Sequence, residues 1–289
     1  MDTTTIGATE SAAREHFDRL GNNGYWARLY ADVADPRIRW SFVRRQMNIE
    51  ALVPRVAPPG ALVVEIGPGT GNLIRFLAEH GYRYRGYDTS VAMVAETRDA
   101  ILRHFGPRSD ATCSLGDVYR LPLGDGAADL VIASGVFEYL DNPQAAAAEL
   151  ARITRPPDAG RPGGCAIITF PNAASLNRIL GNRLQLMTRA WHGWLRLTGQ
   201  PIAPPDVHRE AYDVRRVRDV FEPAGWRLEN EHYYDVEVMP YPLKRLFPDL
   251  AFRAKRRWES ADAGLKHVLA NGLIAVLHRQ AAIPATRQR

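Results

Sequence analysis

Between residues 61 and 172, short apolar runs alternate with helix-like stretches, and this alternation limits the fold more than any other feature of the chain. ALVVEI (61–66) reads as a buried strand, and YRGYD (84–88), ATCSLGD (111–117), ADLVIASGV (128–136) and CAIITFP (165–171) read as further strands. Between them NLIRFLAEHG (72–81), VAMVAETRDAILRHFG (91–106) and PQAAAAELARIT (143–154) read as helices, the first closed by Gly81. Repeated β-α alternation implies parallel strands joined by crossover helices, hence an α/β doubly wound sheet with helices on both faces. The pattern lapses between Asn172 and Pro205, then resumes with a helix at 213–223, a strand near 226–237 and a final strand at 272–279. The lapse reads as an insertion after the fifth strand.

Upstream, residues 11–30 and 36–53 read as amphipathic helices. In the second, Ile38, Phe42, Met47 and Ile49 recur at roughly helical spacing, and Pro58-Pro59-Gly60 then breaks the chain. Residues 1–10 and 283–289 read as loose tails. Apolar residues make up 46% and charged residues 24% of the 289, an ordinary globular balance. A net charge of +5 permits an anionic substrate, nucleic acid or a lipid surface without selecting among them. Cys113 and Cys165 stand apart in strand-like runs, which argues against a disulfide framework or structural zinc and fits a reducing cytoplasm. No basic segment followed by an apolar one opens the chain, and no apolar run reaches the ~18 residues of a membrane span, so neither a signal peptide nor a spanning helix is expected.

The glycine loop Gly67-Pro-Gly-Thr-Gly71 leaves the first strand of the alternation and enters a helix, a setting where backbone amides approach a ligand closely. Its third glycine arrives one residue earlier than in the dinucleotide pattern G-x-G-x-x-G. Asp88 ends the next strand, 21 residues after Gly67, where a carboxylate can accept both hydroxyls of a ribose. These two features alone do not separate a nicotinamide dinucleotide from S-adenosyl-L-methionine (SAM). The third element narrows the choice: Gly116-Asp117 closes a strand, a Leu-Pro turn follows, and an Asp-Leu-Val-Ile strand comes next.

In these ordered motifs the chain resembles the class I, Rossmann-like SAM-dependent methyltransferases, over about 61–172 well and over 207–280 more loosely. The resemblance implies a seven-stranded sheet, mostly parallel, with the last strand antiparallel. It also implies that Gly67, Gly69 and Gly71 pass under the methionine and ribose of SAM, that Glu65 lies near the methionine amino group, and that Asp88 binds the ribose hydroxyls. Asp117 would accept from the adenine amino group, Val118 would donate its backbone N–H to the ring, and Ser134, Gly135 and Val136 would lie near the sulfonium. In relatives the N-terminal helices fold over SAM as a lid. The expected division is therefore a lid at 1–55, the SAM-binding domain at 56–172 and 207–282, and a helical cap insertion at 173–206. Tyr25, Trp26 and Arg44 are the lid candidates, with Arg44 able to pair a carboxylate.

Methyl transfer from a sulfonium is an in-line displacement of an already activated group, so alignment and water exclusion matter most. A hydroxyl acceptor can need a general base, whereas a carboxylate does not. Glu138 and Tyr139 follow the fourth strand, at the carboxyl edge where open α/β sheets bind ligands. Many small-molecule relatives carry Glu-His there; the Glu-Tyr of this chain removes the simplest histidine base and leaves Tyr139 first of all a packing residue. His208 is expected to open the helix after the insertion (VHREAYDVRRV), where relatives often place a histidine near the acceptor. No His/Asp/Glu cluster at ligand spacing calls for a metal. Within 173–205, Leu180, Leu184, Met187, Trp191 and Trp194 share one helical face, with Arg183, Arg189 and Arg196 mostly elsewhere. That pattern suits a cap over the substrate, with Trp191 and Trp194 as substrate contacts, and equally a helix resting on a lipid surface or on a second subunit. YPLKRLFPDLAFRAKRRW (241–258) has similar character and is expected to join the same cap.

The expected activity is methylation of a small or lipid-like organic acceptor at a hydroxyl oxygen, in the manner of ubiquinone-type and natural-product O-methyltransferases. Carbon or nitrogen methylation stays open, as do a SAM-binding subunit without chemistry and an NAD-dependent oxidoreductase. No nucleic-acid partner is expected, because no RNA-binding module and no Asn-Pro-Pro-Tyr-type motif is present. The expected location is cytoplasmic, with peripheral membrane contact through 173–205 left open together with the oligomeric state.

Overall fold

In a computed structural model, which describes residues 8–22, 36–183, 209–239, 243–260 and 264–281, seven strands form one sheet. They are β1 (Leu62–Ile66), β2 (Arg83–Asp88), β3 (Thr112–Leu115), β4 (Leu130–Ser134), β5 (Cys165–Pro171), β6 (Trp226–Val236) and β7 (Ala270–Arg279), in the spatial order β3-β2-β1-β4-β5-β7-β6. Strands β1 to β5 pair in parallel, and β7 runs antiparallel to both of its neighbours. The doubly wound sheet with an antiparallel last strand is thus the one the alternation and the resemblance imply.

The sheet is buried on both faces, and the period-2 pleat sorts its side chains between two cores. From β1, Leu62, Val64 and Ile66 enter one core with Val131, Ala133, Ile168 and Phe170; Val63 enters the other with Leu130, Ile132 and Ile167. Glu65 has the parity of Val63 and is therefore a carboxylate inside the second layer, only 3% exposed. The strand order reverses between β1 and β4, which leaves a crevice beyond their carboxyl ends, the place where such sheets take ligands.

The helices are α1 (Ala8–Asn22), α2 (Pro36–Val56), α3 (Ile74–Glu79), α4 (Val91–His104), α5 (Pro143–Ile153), α6 (Leu176–Arg183), α7 (Val214–Phe221), α8 (Leu243–Leu246), α9 (Pro248–Ser260) and α10 (Lys266–Leu269). Ser90, Asn142 and Asp213 cap α4, α5 and α7 by accepting from backbone N–H groups of the first turn, as short polar side chains do there. None of the helices described is long and apolar enough to cross a membrane.

Several local expectations change. Helix α2 continues one turn past Val53, through Pro54, because the missing N–H costs one backbone bond while Leu52, Val53 and the following Ala57 are buried. Helix α3 is shorter than 72–81, since residues 71–73 belong to the turn that carries the glycine loop. Helix α1 begins at Ala8, inside the expected tail. Met47, placed on the apolar face of the second helix, is 48% exposed; the face that points inward carries Phe42, Arg45, Gln46 and Ile49 at i, i+3, i+4 and i+7. Residues 248–260 flank α2 and β6: Phe252 meets Trp40 edge-to-face at 5.5 Å, and Glu259 accepts from the N–H groups of Asp235 and Val236.

Candidate active site

A cavity of about 260 Å³ opens at the sheet's switch point between β1 and β4. Its floor is the glycine loop. Gly67, Gly69 and Gly71 all have positive φ (65°, 59° and 73°), the region where only glycine is unstrained. The loop is tied down from within: the Gly67 N–H donates to the Tyr87 carbonyl at 2.8 Å, and the buried Thr97 hydroxyl on α4 donates to the Gly69 carbonyl at 2.8 Å. A Cβ at Gly71 would sit 2.9 Å from the Ala100 Cβ, so this glycine lets α4 close on the loop. At Gly67 a Cβ would lie 2.6 Å from the Val136 Cγ2. Gly67→Ala is therefore expected to weaken binding of S-adenosylhomocysteine at least tenfold and to cost roughly 1–3 kcal/mol of stability. Adding Val136→Ala removes the steric part alone, so calorimetry on the double variant should show partial recovery; no recovery rejects the contact with Val136 as the cause.

Three carboxylates and a hydroxyl edge this floor. Asp88 at the end of β2 accepts from the Ser90 N–H at 2.9 Å and, loosely, from the Gly69 N–H at 3.4 Å, which leaves its outer lone pairs toward the cavity. Burial pushes its pKa up to about 6, against the pull of its backbone hydrogen bonds. Glu65 accepts from the Tyr84 hydroxyl at 2.9 Å, and burial pushes it up to about 7. Asp117 accepts from the Tyr119 N–H at 3.0 Å, and Val118, 6% exposed, lines the wall beside it. Thr70, in the loop itself, points a buried hydroxyl that has no hydrogen-bond partner into this region.

Helix α1 roofs the cavity and is pinned at both ends. Glu10 accepts from the Tyr119 hydroxyl and, at 2.9 Å, from the Asp141 N–H; Asp18 accepts from the Ser90 hydroxyl. Phe17 sits edge-on to Tyr139 with ring centroids 5.5 Å apart. Ser134 and Gly135 form the wall after β4, with the Gly135 N–H held by the Thr169 hydroxyl at 2.9 Å.

Most residues singled out from the sequence thus meet in one place: Glu65, Gly67, Gly69, Asp88, Asp117, Val118, Ser134, Glu138 and Tyr139 all line the cavity, and Gly71 shapes its loop. Arg44 does not. It lies 3.8 Å from Glu259 and over the Trp40 ring, turned away by the ~100° that separates neighbours on a helix, and its neighbour Arg45 lines the cavity instead. Tyr25, Trp191, Trp194 and His208 lie outside the described residues. Arg45, Thr70, Thr97 and Thr169 escaped the sequence reading: Thr70 sits in the glycine loop but was passed over for its glycines, and the other three belong to no motif with a fixed spacing.

These features fit the nucleotide-like half and the amino-acid half of SAM. Asp88 has lone pairs that would suit ribose hydroxyls, Asp117 and Val118 line the wall where the resemblance sets the adenine, and Glu65 with the unpartnered Thr70 hydroxyl would suit an ammonium and a carboxylate. Bound there, SAM supplies an activated methyl group on a sulfonium.

A family model described as a methyltransferase domain matches residues 64–158. An uncharacterized methyltransferase of Mycobacteroides abscessus is 31% identical over 228 residues, covering 77% of this chain and 78% of that protein. The malonyl-[acyl-carrier protein] O-methyltransferase of Serratia marcescens is 32% identical over 123 residues, so the alignment spans only 42% of the length of either protein. In overall fold the chain is similar to the magnesium protoporphyrin IX methyltransferase of Synechocystis PCC 6803 with bound S-adenosylhomocysteine, with a TM-score of 0.63 at 18% identity over 93% of this chain and 99% of that one. Sheet order, glycine loop and relatives agree: the chain belongs to the class I SAM-dependent methyltransferase family, with S-adenosylmethionine as its cofactor.

Proposed function

We propose that the protein transfers the methyl group of SAM to a hydroxyl oxygen of a small organic acceptor, with Glu138 as the general base. In this reading residues 1–55 are the lid, 56–172 and 207–282 bind SAM, and 173–206 cap the acceptor. One observation carries the base assignment. Glu138, in the single turn Phe137–Tyr139 after β4, is 7% exposed, and its Oε2 is buried without a hydrogen-bond partner at the wall of the cavity. A buried acceptor left unsatisfied is costly unless a ligand group completes it, and a hydroxyl about to lose its proton would do so. Burial raises the Glu138 pKa, while Arg45, Arg209 and Arg178 pull it back. The O-methyltransferase named among the relatives supports oxygen as the methylated atom.

The base works only when ionised, so transfer should fall as the pH drops through a range above that of an ordinary carboxylate. Glu138→Gln should lower single-turnover methyl transfer by about a hundredfold while leaving the dissociation constant of S-adenosylhomocysteine unchanged. An unaltered rate removes Glu138 from the chemistry. Tight S-adenosylhomocysteine binding with no transfer to any hydroxy-, amino- or carbon-acid acceptor instead supports a SAM-binding subunit that assists a partner enzyme.

A further inference from the structure

Phe42, Arg45, Glu138 and Arg209 also line a second, neighbouring compartment, together with Arg178, Tyr234 and Asp235 among others. Arg45 comes from α2, Arg178 from α6 and Arg209 from the segment entering α7, and all three guanidiniums act on the one Glu138 carboxylate. Asp235, the second acid among the described residues that line the compartment, is held by the Lys255 ammonium and by the Asn271 amide at 3.1 Å.

The arginines are held in place by local structure. The Glu210 N–H donates to the Glu138 carbonyl at 2.8 Å and the Tyr212 N–H to the Pro171 carbonyl at 2.9 Å, which fixes the segment carrying Arg209 against the ends of β4 and β5. The turn before α6 is anchored by Asn172, whose amide donates to the Ala270 and His267 carbonyls at 2.8 Å, and by the Ser175 hydroxyl on Asn271 at 3.1 Å. Arg178 loses hydration through burial and is further destabilised as a cation by Arg209. A guanidinium stripped of water beside a second one, as Arg178 is, is stabilised by an anion, and planar guanidiniums suit the two oxygens of a carboxylate or phosphate.

Building on the proposed methyl transfer, we infer that Arg178 and Arg209 bind an anionic group of the acceptor, a carboxylate or a phosphate, and thereby set its hydroxyl beside Glu138. The acceptor is then a hydroxy acid or a phosphorylated alcohol, and an uncharged analogue is discriminated against. The Phe42 and Tyr234 rings that share the compartment suit an aromatic or otherwise apolar body between anion and hydroxyl.

The test uses the whole chain saturated with S-adenosylhomocysteine and three probes: salicylate, salicylamide and phenyl phosphate. Calorimetry or ligand-observed NMR should show salicylate or phenyl phosphate binding at least tenfold more tightly than salicylamide, and the stronger of the two tells carboxylate from phosphate. Arg178→Gln and Arg209→Gln should each abolish that preference, and Arg178→Lys should restore part of it. Arg178→Gln should leave S-adenosylhomocysteine affinity unchanged, which shows that the variant is folded. Equal binding of all three probes, or a preference that survives both glutamine variants, overturns the inference while leaving the proposed methyl transfer standing. Failure to bind S-adenosylhomocysteine at all strikes at that transfer instead.

Discussion

Asp88→Ala is expected to weaken S-adenosylhomocysteine binding by about three orders of magnitude, read by calorimetry at pH 8. The Asp88 carboxylate closes β2 at the rim of the cavity, and its inner lone pairs are already engaged by the Ser90 and Gly69 N–H groups. Those bonds hold the plane of the carboxylate, so the remaining lone pairs are oriented before a ligand arrives and little ordering entropy is lost on binding. Two hydroxyls on a charged acceptor contribute about 1.5–3 kcal/mol each. Asp88→Asn should fall between wild type and Ala, because an amide keeps an acceptor for the Ser90 N–H and can still take one hydroxyl. S-adenosylhomocysteine affinity unchanged in both variants removes Asp88 from the ribose site. An equal loss in both places the effect in the charge rather than in the geometry.

The glycine loop and the position of Asp88 were legible because each obeys a local rule, whereas the parts expected of Glu65 and Asp117 came from the family resemblance. Three glycines at alternate positions after a buried strand announce positive φ, and the β-α-β repeat places the end of the next strand, where Asp88 stands, beside that loop. The seven-strand sheet was legible for a related reason, since parallel strands buried on both faces leave unbroken apolar runs such as 61–66 and 128–134. What the sequence hid depends on helix phase and on long-range folding. Arg44 and Arg45 are adjacent in the chain, and composition cannot tell which one faces the cavity; the answer rests on how α2 is rotated by Trp40 packing on Phe252. The arginine cluster is harder still. Positions 45, 138, 178 and 209 meet only because α2, the end of β4 and the two segments flanking the insertion converge on one sheet edge. For stretch 241–258 the sequence could not choose, because basic, aromatic and apolar residues serve equally in a cap and in a flanking helix such as α9, and most of the cap it was expected to join lies outside the described residues.

Glu65→Gln should separate stability from cofactor binding, in opposite directions. The buried Glu65 carboxylate titrates at about 7 in the folded protein, against an ordinary value of 4.5. Below pH 4.5 the group is protonated in both folded and unfolded chains and costs nothing. Between pH 4.5 and 7 the unfolded chain has released the proton while the folded chain keeps it on a buried site, so stability falls by about 3 kcal/mol across that window and levels off above it. An amide has the same shape, carries no charge and still accepts from the Tyr84 hydroxyl. The ligand-free variant should therefore melt roughly 5–10 °C higher than wild type at pH 8, with the gap closing toward pH 5. Its S-adenosylhomocysteine affinity should drop about a hundredfold at pH 8, because the ammonium of the ligand loses its counter-charge. In the wild type the same affinity should rise with pH between about 6 and 8 as Glu65 and Asp88 ionise, and in Glu65→Gln the Asp88 part of that rise alone should remain. A melting temperature that does not move at pH 8 means that the carboxylate is solvated in the folded chain. A stabilised variant that binds S-adenosylhomocysteine as wild type does means that the buried charge serves something other than the amino group of the cofactor. The expected result, greater stability with lost binding, identifies Glu65 as a charge that the fold carries at a cost because the cofactor requires it.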